Sequence, residues 1–198
     1  MRLFLIIVVL LATAIATTLL YHQTQQADIN YYQGHKFFEK GEYDEAMKFC
    51  EKTLTINPSH KGALRDLAYS CQWTGDFERA IEAFNQILSM NPGDYKVMMA
   101  LAETLAWNKE YEKSIAVCEE IIDSTGDVKA HILLGQIYIW NNQFDNAKEV
   151  LEEVLRKDPD NSQAKLLYAK ALHYSGEAKA AIEIYKKLLK EKKKDNGK

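Results

Sequence analysis

No HExxH pair, no GxSxG turn, no Walker A loop and no GxGxxG stretch occurs anywhere along the chain. The residue patterns that hold a catalytic zinc, present a nucleophilic serine or cradle a phosphate are therefore missing. Five histidines, His22, His35, His60, His131 and His173, stand apart with no partner at ligand spacing. Three cysteines, Cys50, Cys71 and Cys118, show no CxxC spacing, and an odd number cannot complete a disulfide framework. They read as small buried hydrophobes, with a Cys50–Cys71 bridge as the alternative. No catalytic residue, metal ligand or cofactor is expected, and the chain does not read as an enzyme.

Positive charge is scarce over most of the length. The formal charge is −3, but residues 186–198 carry seven lysines against Glu191 and Asp195, for +5, and Arg2 adds one, which leaves residues 3–185 at −9. An acidic body disfavours nucleic acid, whose binding draws on Lys and Arg to neutralise phosphates. The lysines from Lys186 onward are expected to solvate the end of the last helix and to suit its dipole, with contact to an anionic lipid or acidic partner as the alternative.

Charge is wholly absent from residues 3–21, LFLIIVVLLATAIATTLLY. As a helix this run spans about 28 Å, close to the hydrocarbon thickness of a bilayer. Arg2 is the flanking positive charge on one side, and the other side has none before Lys36. The positive-inside rule then keeps the amino terminus in the cytoplasm and sends the rest across. Ala12-Thr13-Ala14 and Ala14-Ile15-Ala16 also read as small-residue cleavage sites, so a removed signal peptide is the competing reading. The anchor is preferred because the apolar run continues to Tyr21, and the missing Cys at its end rules out a lipoprotein anchor. Residues 22–27, HQTQQA, lack Pro and Gly and could carry the helix onward.

What the chain does have is a period. LAYSCQWTGDFERAI from Leu67, LAETLAWNKEYEKSI from Leu101 and LGQIYIWNNQFDNAK from Leu134 place the same classes of residue in the same columns. The stretches from Gly34 and Tyr168 extend this to five copies at 33 to 34 residues. Trp73, Trp107 and Trp140 share a column, as do Pro58, Pro92 and, with a one-residue slip, Pro159. Leu64, Leu67, Ala68 and Cys71 recur on one helical face; a turn follows at Thr74-Gly75-Asp76; Ala80, Phe84, Ile87 and Leu88 mark a second helix that ends at Asn91-Pro92-Gly93. Each unit is a helical hairpin that cannot bury its apolar face alone, and such periods mean a stacked solenoid. Acidic residues at the start of the second helices complement the helix dipole and predict stability rather than chemistry.

On these residues the chain resembles the tetratricopeptide repeat (TPR) family over residues 27–193. Gly34 and Gly135 match the family's Gly, Tyr138 its first-helix Tyr, and Ala46, Ala80, Ala147 and Ala181 the Ala at which the second helix packs on the first, with Ser114 in the third copy. Gly126 in place of Pro, a 33-residue third repeat and Lys193 at the last Pro column depart from the pattern. The resemblance implies an all-α, right-handed α-solenoid of about five TPR hairpins, with repeats near residues 27–60, 61–94, 95–127, 128–161 and 162–193. It would follow a transmembrane or signal helix and linker in residues 1–26 and precede a lysine-rich tail at 194–198.

The resemblance also implies that first helices line a concave groove, whose ligand- or partner-binding candidates are Tyr31, Arg65, Tyr69, Trp73, Met99, Glu103, Trp107, Gln136, Trp140 and Tyr174. The Trp column has two readings: rings that cover the turns beneath them, or a ladder that contacts an elongated ligand. Two functions follow. One is a non-catalytic scaffold outside the cytoplasm that binds protein partners, as peptides or extended segments, in envelope assembly or export. The other is a carbohydrate-binding module that guides an exported polysaccharide, since the Trp column also looks like periplasmic repeat proteins of exopolysaccharide export. Membrane contact is expected through the amino-terminal segment; if that segment is cleaved, the product is periplasmic or secreted.

Overall fold

The computed structural model describes residues 1–195, and among them there are ten helices and no strand. The helices are α1 (Arg2–Glu39), α2 (Tyr43–Ile56), α3 (Lys61–Thr74), α4 (Phe77–Met90), α5 (Tyr95–Trp107), α6 (Tyr111–Thr125), α7 (Val128–Trp140), α8 (Phe144–Lys157), α9 (Ser162–Tyr174) and α10 (Ala178–Asp195). They fall into two compact units, Met1–Pro92 and Gly93–Lys198. Residues 196–198, the end of the lysine-rich tail, lie outside the described residues.

In the first unit α1 packs on α2, α2 on α3 and α3 on α4, and α1 also touches α3. The second unit repeats this arrangement: each helix from α5 to α10 packs on the next, while α7 touches both α5 and α9. First helices of neighbouring hairpins therefore lie side by side in each unit and form one face. The all-α hairpin stack expected from the period is the observed architecture.

Residue size sets how closely the hairpins close. Ala46, Ala80 and Ala147 are fully buried, as is Ser114, whose extra hydroxyl donates to the Ala102 carbonyl at 2.6 Å rather than standing unpaired. On the partner helices, a Cβ built on Gly34 would lie 2.9 Å from Phe49 Cβ, and one on Gly135 would lie 2.7 Å from Leu151 Cγ. Only a residue without a side chain fits there. In the second unit these contacts close a core that includes Cys118, Ile137, Leu151 and Leu167. Cys50, Cys71 and Cys118 are free and fully buried, and burial pushes their thiols up to about 12, 11 and 12 respectively. The cysteine reading as small hydrophobes is the one realised, without a Cys50–Cys71 bridge.

Every turn inside a hairpin is built alike. The backbone N–H of Glu42, Asp76, Glu110, Gln143 and Glu177 donates to the carbonyl five residues earlier, at 2.8 to 2.9 Å, which satisfies a carbonyl that the ending helix leaves open. This motif needs a left-handed residue one position earlier. Gly41, Gly75 and Gly176 supply it, but Lys109 and Asn142 hold the same place at φ of 63° and 58°.

α1 differs from the other helices in length and surroundings. It is unbroken from Arg2 to Glu39 and rises about 57 Å at 1.5 Å per residue. Ala27 is its first buried residue among those described, and the described apolar side chains before that point are exposed. It is the one described helix long and apolar enough to cross a membrane.

Candidate binding faces

The residues singled out from the sequence divide between the two units. In the first, Tyr31 stands half-buried with its ring centre 5.5 Å from that of His35 and 4.6 Å from that of His60. Burial raises the Tyr31 hydroxyl above its ordinary range. Tyr69 is half-buried with its ring edge-on to the buried Phe84 at 5.2 Å, so it is part of the packing between α3 and α4. Arg65 and Trp73 are exposed, Trp73 at 63%. Beside them is a pair the sequence did not suggest: His35 Nδ1 lies 2.7 Å from Asp66 Oδ2, and Asp66 is buried. Burial pushes the Asp66 carboxyl up, and His35 opposes that shift. Residues 31 positions apart on α1 and α3 meet only because those helices are neighbours.

In the second unit Met99, Glu103 and Trp107 are four residues apart along α5 and share one face of it. Met99 is half-buried and Trp107 is 40% exposed. Burial raises the Glu103 carboxyl above its usual range. Gln136, Trp140 and Tyr174 line one hollow of about 270 Å³, together with Asn142, Phe144 and Lys170. A second hollow of about 600 Å³ shares Asn142, Phe144 and Tyr174 with the first. Phe144 stacks on Tyr174 at 5.7 Å and 25°, which places that pair at the wall between the two hollows.

The rings of the column are thus exposed rather than sunk in the turns: Trp140 is 40% and Tyr174 58% accessible. Each closes the first helix of its hairpin, where the left-handed turn carries the chain away and leaves the ring beside it open. Phe144 had a faint signal in the sequence. Tyr43, Phe77, Tyr111 and Phe144 open successive second helices, so an aromatic column runs there too. Among the described residues no cluster of His, Cys, Asp and Glu could hold a metal ion.

The TPR family model matches residues 37–85, 74–137, 122–171 and 141–197. Solved structures share the fold at low identity. MamA from Desulfovibrio magneticus RS-1 aligns with a TM-score of 0.75 at 18% identity, over 85% of this chain and 96% of that one. A tetratricopeptide repeat protein from Parabacteroides merdae gives 0.76 at 17%, over 86% and 68%. YrrB, a TPR protein with an unusual peptide-binding site, gives 0.68 at 15%, over 88% and 90%. No curated protein matches the chain.

Proposed function

Because the chain belongs to the tetratricopeptide repeat family, we propose that it is a non-catalytic interaction scaffold held at a membrane, with its repeats on the extracytoplasmic side. In that role it gathers protein partners for envelope assembly or export. The observation that carries this reading is α1, one helix whose apolar first part, exposed at every described side chain, runs without a break into the first repeat. A helix that is apolar all round needs lipid about it. Its few hydroxyls are already spoken for: Thr13, Thr17 and Thr18 donate to backbone carbonyls of Leu10 and Ala14 at 2.8 to 2.9 Å, which lowers their cost in hydrocarbon. Residues 27–193 then act as the repeat domain directly outside the bilayer, and YrrB's peptide-binding site supports a peptide or an extended segment as the form in which a partner is held.

Fractionation and protease treatment of spheroplasts test the placement. Carbonate-resistant membrane association with protease-sensitive repeats is the expected result. A soluble product starting near residues 13–17 would identify a cleaved signal, and protease-shielded repeats would reverse the orientation. For the binding face, Trp107→Ala should weaken partner capture by about 2 kcal/mol and leave melting nearly unchanged. A loss of about 3 kcal/mol in stability with unchanged affinity would make that ring a structural plug.

The exposed rings Trp107, Trp140 and Tyr174 favour a second reading, a carbohydrate-binding face for an exported polysaccharide.

A further inference from the structure

We propose that the hollow formed by Gln136, Trp140, Asn142, Phe144, Lys170 and Tyr174 is a subsite for an acidic saccharide, with sugar ring faces on Trp140 and Tyr174 and the uronate carboxylate on Lys170. The inference rests on the second reading above and gives it a ligand class and a place.

Three features of the hollow select that chemistry. A hexuronate has an apolar C–H face, a rim of hydroxyls and a carboxylate. Its C–H face suits the electron-rich face of an aromatic ring, and two of the rings here are substantially exposed. The hydroxyls each donate and accept, and so do the amides of Gln136 and Asn142. Lys170 is half-buried beside Trp140 and Tyr174 and makes no ion pair with any described residue, whereas Lys148 of the adjoining hollow is held by both Asp145 and Glu177. An ammonium offers donors only and carries a positive charge, so an anionic oxygen is its strongest partner.

Size and repetition point the same way. The hollow measures about 270 Å³ and its neighbour about 600 Å³, the second within the ~300–1,000 Å³ of small-ligand sites. Trp107, Trp140 and Tyr174 end α5, α7 and α9 in three consecutive hairpins. A receptor that presents an aromatic ring at the same place in each step suits a ligand whose units are alike. A peptide of mixed sequence would call for a different socket at each step.

Calorimetric titration of the full chain in detergent micelles, with a galacturonate tetramer and its neutral galactose counterpart, tests the proposal. The uronate should bind saturably and about tenfold more tightly than the neutral tetramer, a difference of about 1.4 kcal/mol. Lys170→Met should abolish that preference, and Trp140→Ala should remove binding to both, while Tyr32→Ala, at an exposed ring of the first unit, leaves both intact. Melting curves for each variant separate lost binding from lost fold, and the Lys170 variant, a half-buried surface change, carries the test if Trp140→Ala unfolds. Equal affinity for the two tetramers, or a uronate preference that survives in Lys170→Met, overturns the proposal. So does failure of either sugar to bind; if partner capture still depends on Trp107 in that case, the scaffold reading stands without the saccharide site. Protection of Trp140 by a captured protein instead of by sugar likewise assigns the hollow to a peptide.

Discussion

The two parts of α1 use the same backbone to opposite ends. Up to residue 26 every described side chain is exposed; from Ala27 onward the helix closes on α2 and α3. Residues 3–21 of the first part are apolar all round and have no one face to bury. The second keeps Ala27, Gly34 and their neighbours on one side and Asp28, Lys36 and Glu39 on the other. With α1 held in a membrane as proposed, an apolar residue stabilises in two ways within one helix: toward lipid, where only polarity matters, and toward a partner helix, where shape matters as well. Substitutions that change only polarity or only volume should separate the two parts.

Polarity is the larger lever. A lysine at a bilayer-centred position costs about 2.5–3.5 kcal/mol of insertion free energy. Leu10→Lys falls in the middle of the apolar run and should release the chain from carbonate-washed membranes. Ile29→Lys, at another exposed apolar position of the same helix, should leave the membrane fraction unchanged. If both variants stay bound, the first part of α1 is not held by lipid.

Volume should act the other way round. Ala147→Leu forces methylenes into the close contact between α7 and α8, where Ala147 is fully buried, at a cost of about 1–3 kcal/mol, readable as a drop in melting temperature. Ala14→Leu adds the same atoms to an exposed position of α1 and should leave both melting and membrane retention as they are. A parent-like melt for Ala147→Leu would mean that the small-residue column does not set the helix spacing.

That column was legible in the sequence because packing imposes a period: small residues recur wherever the second helix crosses the first, and Gly34 and Gly135 answer them from the other side. The continuity of α1 was legible for a similarly local reason, the lack of Pro and Gly between its two parts. What escaped came from side chains that converge from separate hairpins. The His35–Asp66 pair and the meeting of Trp140, Phe144, Lys170 and Tyr174 depend on which helices become neighbours. A single column cannot display that. Neither could it display the strained turn residues: Gly75 reads as an ordinary turn glycine, and only the backbone places Lys109 and Asn142 at the same left-handed step.

Those two residues give a smaller effect on the repeat side of the comparison. A left-handed conformation costs an ordinary L-residue about 1–2 kcal/mol, and Asn less. Lys109→Gly should remove that cost and return part of it as unfolded-chain entropy, for a net gain of up to about 1 kcal/mol. Asn142→Gly should gain less. A loss of stability in both would mean that the side chains, rather than the turn geometry, hold these positions.

The smallest expected change is at Glu103, and it tests whether the repeat side tolerates polarity as poorly as the first part of α1 should. Burial holds the Glu103 carboxyl above its ordinary value of 4.5. The unfolded chain ionises near that ordinary value, so as pH rises the unfolded state loses its proton first. Between the two values the folded state binds more protons, and stability falls with rising pH until the folded carboxyl has ionised as well. At neutral pH the protein carries that deficit in full. Glu103→Gln keeps the shape and removes the charge, so it should melt higher than the parent at pH 7, and the gap should close below about pH 4, where both carry a neutral group. A gap that persists unchanged at acid pH would assign the effect to hydrogen bonding or packing of the amide, and a lower melt at pH 7 would mean that the Glu103 carboxylate is stabilising where it stands.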